Sequence, residues 1–198
     1  MRFKSLVSPL ILVVSTTRAP VELEARHSCT SSQLVHVAGA LGIGLGIVGT
    51  PLAAALAFSG VTAKSITYLT VARGVAQTEA YLRSQSAACP DQRFILSGYS
   101  NGALVLHALS LPSALQSKIA SILVFGDPGR NLNLPWPIDN PSLNLSPKDG
   151  SSSEQNIASF CNIGDLACDI FRYGLLAHFA YPTDGSIGVA AAFARARP

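Results

Sequence analysis

The sequence is 198 residues long, 48% hydrophobic and only 13% charged, with a mean hydropathy of +0.36. That is one domain with enough apolar material for a proper core, and it excludes a largely disordered chain. The formal net charge of +3 belongs to the first residues: without Arg2, Lys4 and Arg18 the 14 basic residues fall to 11 and match the 11 acidic ones. A near-neutral domain carries no electrostatic footprint for nucleic acid, and no such partner is expected.

In chain order, Arg2 and Lys4, the apolar run Leu10–Val14 and the tripeptide Thr17-Arg18-Ala19 read as a signal peptide over 1–19. The run is too short to cross a bilayer, so secretion without stable membrane insertion is expected. Residues 20–26 suit a short pro-segment trimmed after Arg26, leaving a single monomeric domain over 27–198. A first strand is expected at Leu34–Val37. The stretch from Leu34 to Phe58 has no charge, which is long enough to suggest a membrane span, but Gly39, Gly42, Gly44, Gly46, Gly49 and Pro51 suit a strand, a loop and a helix start better. Within it, residues 44–49 match a dinucleotide fingerprint. That chemistry needs an acid about 20 residues on, and no Asp or Glu lies between Glu24 and Glu79.

Further elements are expected as a helix at Leu52–Phe58, a strand at Ser65–Leu69, a helix from Val71 to about Ser86, a strand at Phe94–Gly98 and a helix at Asn101–Leu109. A strand at Ile122–Gly126, a Pro-, Asn- and Ser-rich surface loop over 131–153 carrying the sequon Asn144-Leu145-Ser146, a strand at Ile157–Phe160 and a helix at Gly188–Arg195 complete the chain. Strands alternating with helices predict an α/β fold with a mostly parallel, five-stranded central sheet covered on both faces. The four cysteines at 29, 89, 161 and 168 read as two disulfides in a secreted chain, with three pairings open. Cys161 and Cys168 are close enough to staple one loop, which would leave Cys29 with Cys89. With no C-x-x-C pair, no metal site is expected, and no cofactor is called for.

The chemistry is carried by Gly98-Tyr99-Ser100-Asn101-Gly102. A buried strand leads into it and an alanine- and leucine-rich helix follows, which is the setting of a G-x-S-x-G nucleophile elbow. A serine hydroxyl needs a base, and the base needs an orienting acid. His107 lies two turns along the helix that leaves the elbow and cannot reach back, so it reads as a surface or packing residue. His27 and His36 precede the nucleophile and read as structural or solvent-facing. His178 is the candidate base. Asp127, at the end of a strand, and Asp165, between Cys161 and Cys168, compete as the acid. Asp165 is preferred because a stapled loop holds a carboxylate rigidly.

Gly98–Ala103, the loop Cys161…Gly164-Asp165…Cys168, and His178 with Tyr181-Pro182 together resemble the cutinase family of secreted serine esterases, a family that includes acetylxylan esterases. The resemblance runs from Cys29 to the C-terminus. It implies a small three-layer α/β-hydrolase without a lid, disulfides Cys29–Cys89 and Cys161–Cys168, and Ser100, Asp165 and His178 as nucleophile, acid and base. It also implies that Asn101, where the family usually has Gln, gives its backbone N–H to the oxyanion. The family's Ala-Arg-Gly-Thr/Ser-Thr-Glu motif falls on His36-Val37-Ala38-Gly39-Ala40-Leu41, so its Arg, hydroxyls and Glu are missing. Gly39, or Ala40 in a register shifted by one, offers only a backbone N–H. Loss of one oxyanion donor costs about 2.7–4 kcal/mol. Residues 61–74 are also shorter than in the family, without its Tyr-Pro connection. The expected activity is hydrolysis of short-to-medium acyl esters, possible substrates including cutin-type polyester. An acetylxylan esterase and a catalytically weakened secreted binding protein are the alternatives.

Overall fold

The computed structural model describes residues 29–40, 43–150, 154–169, 171 and 174–197. The expected signal peptide, the pro-segment and His27 lie outside the described residues. Six strands form one sheet in the order β2-β1-β3-β4-β6-β5: β1 (Ser32–Val37), β2 (Thr62–Ile66), β3 (Arg93–Tyr99), β4 (Ile119–Phe125), β5 (Leu143–Asn144) and β6 (Ile157–Phe160). Every pairing is parallel. The chain runs outward from β1 to the edge at β2, then crosses to β3 on the other side of β1. The strand order therefore reverses between β1 and β3, and the crevice above such a switch point is where open α/β sheets place their ligands.

Alternation along each strand builds two cores. Val35, Val37, Phe94, Leu96, Ile122 and Val124 face one side and pack with Leu82, Val105, Leu106 and Leu115 from helices α2 (Val71–Ala88), α3 (Asn101–His107) and α4 (Ser113–Gln116). Leu34, Ile95, Leu123, Phe125, Ala158 and Phe160 face the other, against Val48, Leu52, Leu56, Ala190 and Phe193 from α1 (Gly46–Ala57) and α6 (Ser186–Arg195). A short helix α5 (Leu175–Phe179) precedes α6. The result is three layers around a sheet buried on both faces, as its near-continuous apolar strands require.

The sheet has six strands where the sequence predicts five. The extra one, β5, is two residues long inside the expected 131–153 loop, too short to leave a period-two signature. The second strand lies at Thr62–Ile66 rather than Ser65–Leu69. As an edge strand it buries only Ile66, while Leu69 is 83% exposed, so hydrophobicity misplaces it. Helix α1 starts a turn and a half before Leu52, because Gly49 lets it settle onto β1: a Cβ there would lie 2.3 Å from His36 Cδ2. Helices α4 and α5 are too short for a helical period to register.

Cys29 is joined to Cys89 and Cys161 to Cys168, and no free cysteine occurs among the described residues, a pattern that fits an oxidising compartment. No described helix is long and apolar enough to cross a membrane. The Asn144 side chain is buried. Its Nδ2 donates to Gly150 O at 2.9 Å and its Oδ1 accepts from Ser146 N at 2.8 Å. The amide of the sequon is thus a turn-forming strut, not an exposed glycan acceptor.

Candidate active site

Ser100 sits between β3 and α3 with φ 54° and ψ −123°, a left-handed conformation that costs a non-glycine residue on the order of 1–3 kcal/mol. Its N–H donates to Phe125 O at 2.9 Å and its carbonyl accepts from Ala103 N at 2.9 Å, so the neighbouring strand and the new helix hold the strain. Both glycines of the motif are sterically required. A Cβ on Gly98 would lie 2.7 Å from Gly102 O, and one on Gly102 only 2.0 Å from Val37 O. The turn is sharp because the helix starts directly against the end of β1.

Asp165 and His178 are brought together beyond the ends of β4 and β6. Asp165 is fully buried and His178 nearly so, and His178 Nδ1 lies 2.8 Å from Asp165 Oδ1. The same oxygen accepts from Ala167 N at 2.8 Å, and Oδ2 accepts from the Tyr181 hydroxyl. Burial pushes the Asp165 carboxyl up, but the hydrogen bonds from His178, Tyr181 and the Ala167 N–H outweigh it and hold the group below the usual carboxylate range. Tyr99, the residue before the serine, stacks on the His178 ring at 4.8 Å and donates its hydroxyl to His178 O at 2.9 Å. Gly126, with φ 55°, closes the site from below. A Cβ there would lie 2.8 Å from Asp165 Oδ2 and 2.8 Å from His178 Nδ1.

Ser100 and His178 are thus linked through Tyr99, but Ser100 Oγ and His178 make no hydrogen bond among the described residues; such bonds often tighten only with substrate bound. Asn101 is the first residue of α3, where backbone N–H groups lack helical partners. Gly39 borders Ser100: a Cβ there would lie 3.3 Å from Ser100 Cβ and 3.0 Å from Tyr99 Cδ1. A side chain in place of Gly39 would press on the Tyr99 ring. On the same side a cavity of about 290 Å³ is lined by Gly39, Ile43, Leu45, Ile47, Tyr99 and Phe179, among others. On the same helix as His178, Phe179 is half-exposed and joins this lining, whereas Leu176 is 87% exposed and does not.

Asp127, the competing acid, is engaged elsewhere. Its Oδ2 lies 2.9 Å from His107 Nε2 and its Oδ1 accepts from Gly129 N at 2.8 Å. His107 is a packing residue, not a surface one. His36 is structural: fully buried, with Nδ1 3.1 Å from Ser97 Oγ. Burial lowers its imidazole from 6.5 to about 3. Nothing in the sequence alone assigns a role to the side chains of Tyr99, Tyr181 or Asn162. Among the described residues no group of acidic, His or Cys side chains could hold a metal.

Parallel strands that hand a strained serine to a helix beside a sheet's switch point define an α/β-hydrolase. The family model for cutinase matches residues 44–197. Cutinase CUT1 of Coprinopsis cinerea is 34% identical over 202 residues, 93% of this chain and 94% of that protein. A cutinase of Botryotinia fuckeliana is 32% identical, covering 97% of this chain and 95% of that protein. Among solved structures, a Trichoderma reesei cutinase bound to a phosphonate inhibitor superposes with a TM-score of 0.66 at 24% identity, over 84% of this chain and 76% of that one. An acetyl xylan esterase does so with 0.68 at 19% identity, over 86% and 99%. These two likenesses are of fold. The chain belongs to the cutinase family and is a carboxylic ester hydrolase.

Proposed function

We propose that the protein is a secreted, monomeric, cofactor-free serine esterase that cleaves short-to-medium acyl esters, cutin-type polyester among them, through an acyl-enzyme on Ser100. In this reading residues 1–19 are removed as a signal peptide and 20–26 as a pro-segment, leaving the hydrolase domain over 27–198. The observation that carries it is the buried Asp165–His178 pair, 2.8 Å apart, stacked on the residue that precedes a strained serine.

Asp165 accepts the Nδ1–H of His178, which leaves the lone pair of Nε2 as the base. His178 takes the Ser100 proton as Oγ attacks the ester carbonyl. The resulting oxyanion is received by the backbone N–H groups of Asn101 and Gly39. The imidazolium then gives its proton to the departing alcohol. Water, deprotonated by the same histidine, attacks the acyl-enzyme; the proton returns to Ser100 and the acid is released. With Gly39 supplying no hydroxyl, the oxyanion has two donors and no third. The apolar cavity between Gly39 and Phe179 supports an acyl chain as its occupant, and its volume of about 290 Å³ sits at the small end of ligand sites.

The test is hydrolysis of a p-nitrophenyl ester series, from acetate to decanoate, by wild type and Ser100→Ala. Wild type is expected to prefer butyrate to octanoate, and Ser100→Ala to lose about 10⁴-fold or more. Undiminished hydrolysis by the alanine variant overturns the mechanism. A preference confined to acetate would point instead to deacetylation of a carbohydrate.

A further inference from the structure

We propose that Tyr181 is a positioning residue for catalysis, the hydroxyl that fixes Asp165 as an ionised, one-directional acceptor for His178; this rests on reading Ser100, Asp165 and His178 as the catalytic set. Tyr181 is fully buried and edge-on to Phe125 and Tyr99, at 5.7 and 6.2 Å between ring centroids. A phenol has one proton to give. The Asn162 N–H donates to the Tyr181 oxygen at 3.2 Å, so an acceptor position of that oxygen is taken. Its proton faces Asp165 Oδ2, and a carboxylate only accepts. Among the described residues its one other hydrogen-bond contact is the sulfur of Cys168 at 3.7 Å, a weak acceptor already committed to its disulfide. The hydrogen bonds therefore run in one sense, from Asn162 N–H to Tyr181 to Asp165.

Two consequences follow for the base. A proton arriving on Oδ2 would meet the proton of Tyr181, so Asp165 is kept as a carboxylate. Its Oδ1, already accepting from Ala167 N, then presents only lone pairs to His178, which fixes the imidazole proton on Nδ1 and leaves Nε2 unprotonated for the serine. Burial, with the hydrogen bond to Asp165 and its charge added, pushes the phenol well above its ordinary value, so it remains a donor throughout the working range. Asn162 serves both ends: its Nδ2 donates to Ala177 O at 3.1 Å, tying the disulfide loop to the helix that carries His178.

Removing the hydroxyl concentrates the carboxylate charge on the bond to His178 and stabilises the imidazolium. In Tyr181→Phe the acid limb of the kcat/KM–pH profile should therefore move up by about half a unit, with about a tenfold loss of kcat/KM at the optimum. The downfield proton resonance of His178 Nδ1–H should shift as well. Incorporating 3-fluorotyrosine at position 181, a stronger donor of nearly the same shape, should move the limb the opposite way. If Tyr181→Phe does not fold, the fluorinated protein decides alone. An unmoved acid limb in the folded variants, while Ser100→Ala is inactive, removes the relay and leaves the catalytic set standing. Hydrolysis that persists in Ser100→Ala removes the catalytic reading itself.

Discussion

Asp165 lies 2.8 Å from His178 and Asp127 lies 2.9 Å from His107; both aspartates are fully buried and both imidazoles nearly so. Neither distance nor burial separates the two pairs. What separates them is the second ring nitrogen. His107 Nδ1 lies 2.9 Å from Pro135 O, and since a carbonyl only accepts, that nitrogen must carry a proton. Trp136 covers the ring at 3.9 Å between centroids, so both nitrogens of His107 are spent on tying the 127–136 loop to α3. The Nε2 of His178 makes no hydrogen bond among the described residues, and the ring stacks on Tyr99, the residue before Ser100. A histidine–aspartate pair is a base only where the far nitrogen is left open beside something to deprotonate.

The contrast is broken most forcefully by exchanging which pair is damaged. His178→Ala should cost about 10⁴-fold in kcat, with a smaller loss of stability than His107→Leu because Asp165 keeps its hydrogen bonds from the Ala167 N–H and the Tyr181 hydroxyl. His107→Leu should do the reverse: it strands the Asp127 charge in the core and costs about 3–5 kcal/mol of stability, while the folded fraction keeps kcat within a few-fold. Urea denaturation and active-site-normalised kinetics on both variants separate these outcomes. If His107→Leu loses activity at full stability, the division of labour is wrong.

A third histidine sharpens the comparison because it has no acid at all. His36 is buried beside Ser97 and Gly49, and its value in the fold is about 3 against 6.5 when unfolded. Above pH 6.5 neither state binds its proton. As pH falls from 6.5 towards 3 the unfolded chain takes one up and the fold does not, so stability drops by up to about 1.4 kcal/mol per pH unit. Between pH 7 and pH 5 the wild type should lose about 2 kcal/mol more than His36→Leu does, measured by denaturant titration at each pH. Equal losses would mean that His36 is protonated in the fold.

The sequence made one half of this contrast readable and hid the other. Gly98 and Gly102 around Ser100 are visible because backbone sits where their Cβ atoms would be, at 2.7 and 2.0 Å, and no other residue type satisfies that. Asp165 is visible because its loop is marked at both ends by cysteines. The pairing of His107 with Asp127 is not, since it depends on β3 and β4 lying side by side and on a loop with no periodicity. The role of Tyr181 is hidden for a related reason: its hydroxyl is directed by a backbone N–H of Asn162, and backbone donors have no residue signature. At Gly39 the sequence registers only a missing hydroxyl. The fold adds that a Cβ there would stand 3.0 Å from the Tyr99 ring, a tight contact that the ring could relieve only by shifting.

The most direct test of the central claim is covalent labelling by a fluorophosphonate, with the adduct mapped by mass spectrometry in wild type, His107→Leu and His178→Ala. A single adduct on Ser100 is expected in wild type and in the folded fraction of His107→Leu, and its near-complete loss in His178→Ala. Labelling that survives in His178→Ala, or that falls on another serine, would contradict the assignment of Asp165 and His178 to Ser100.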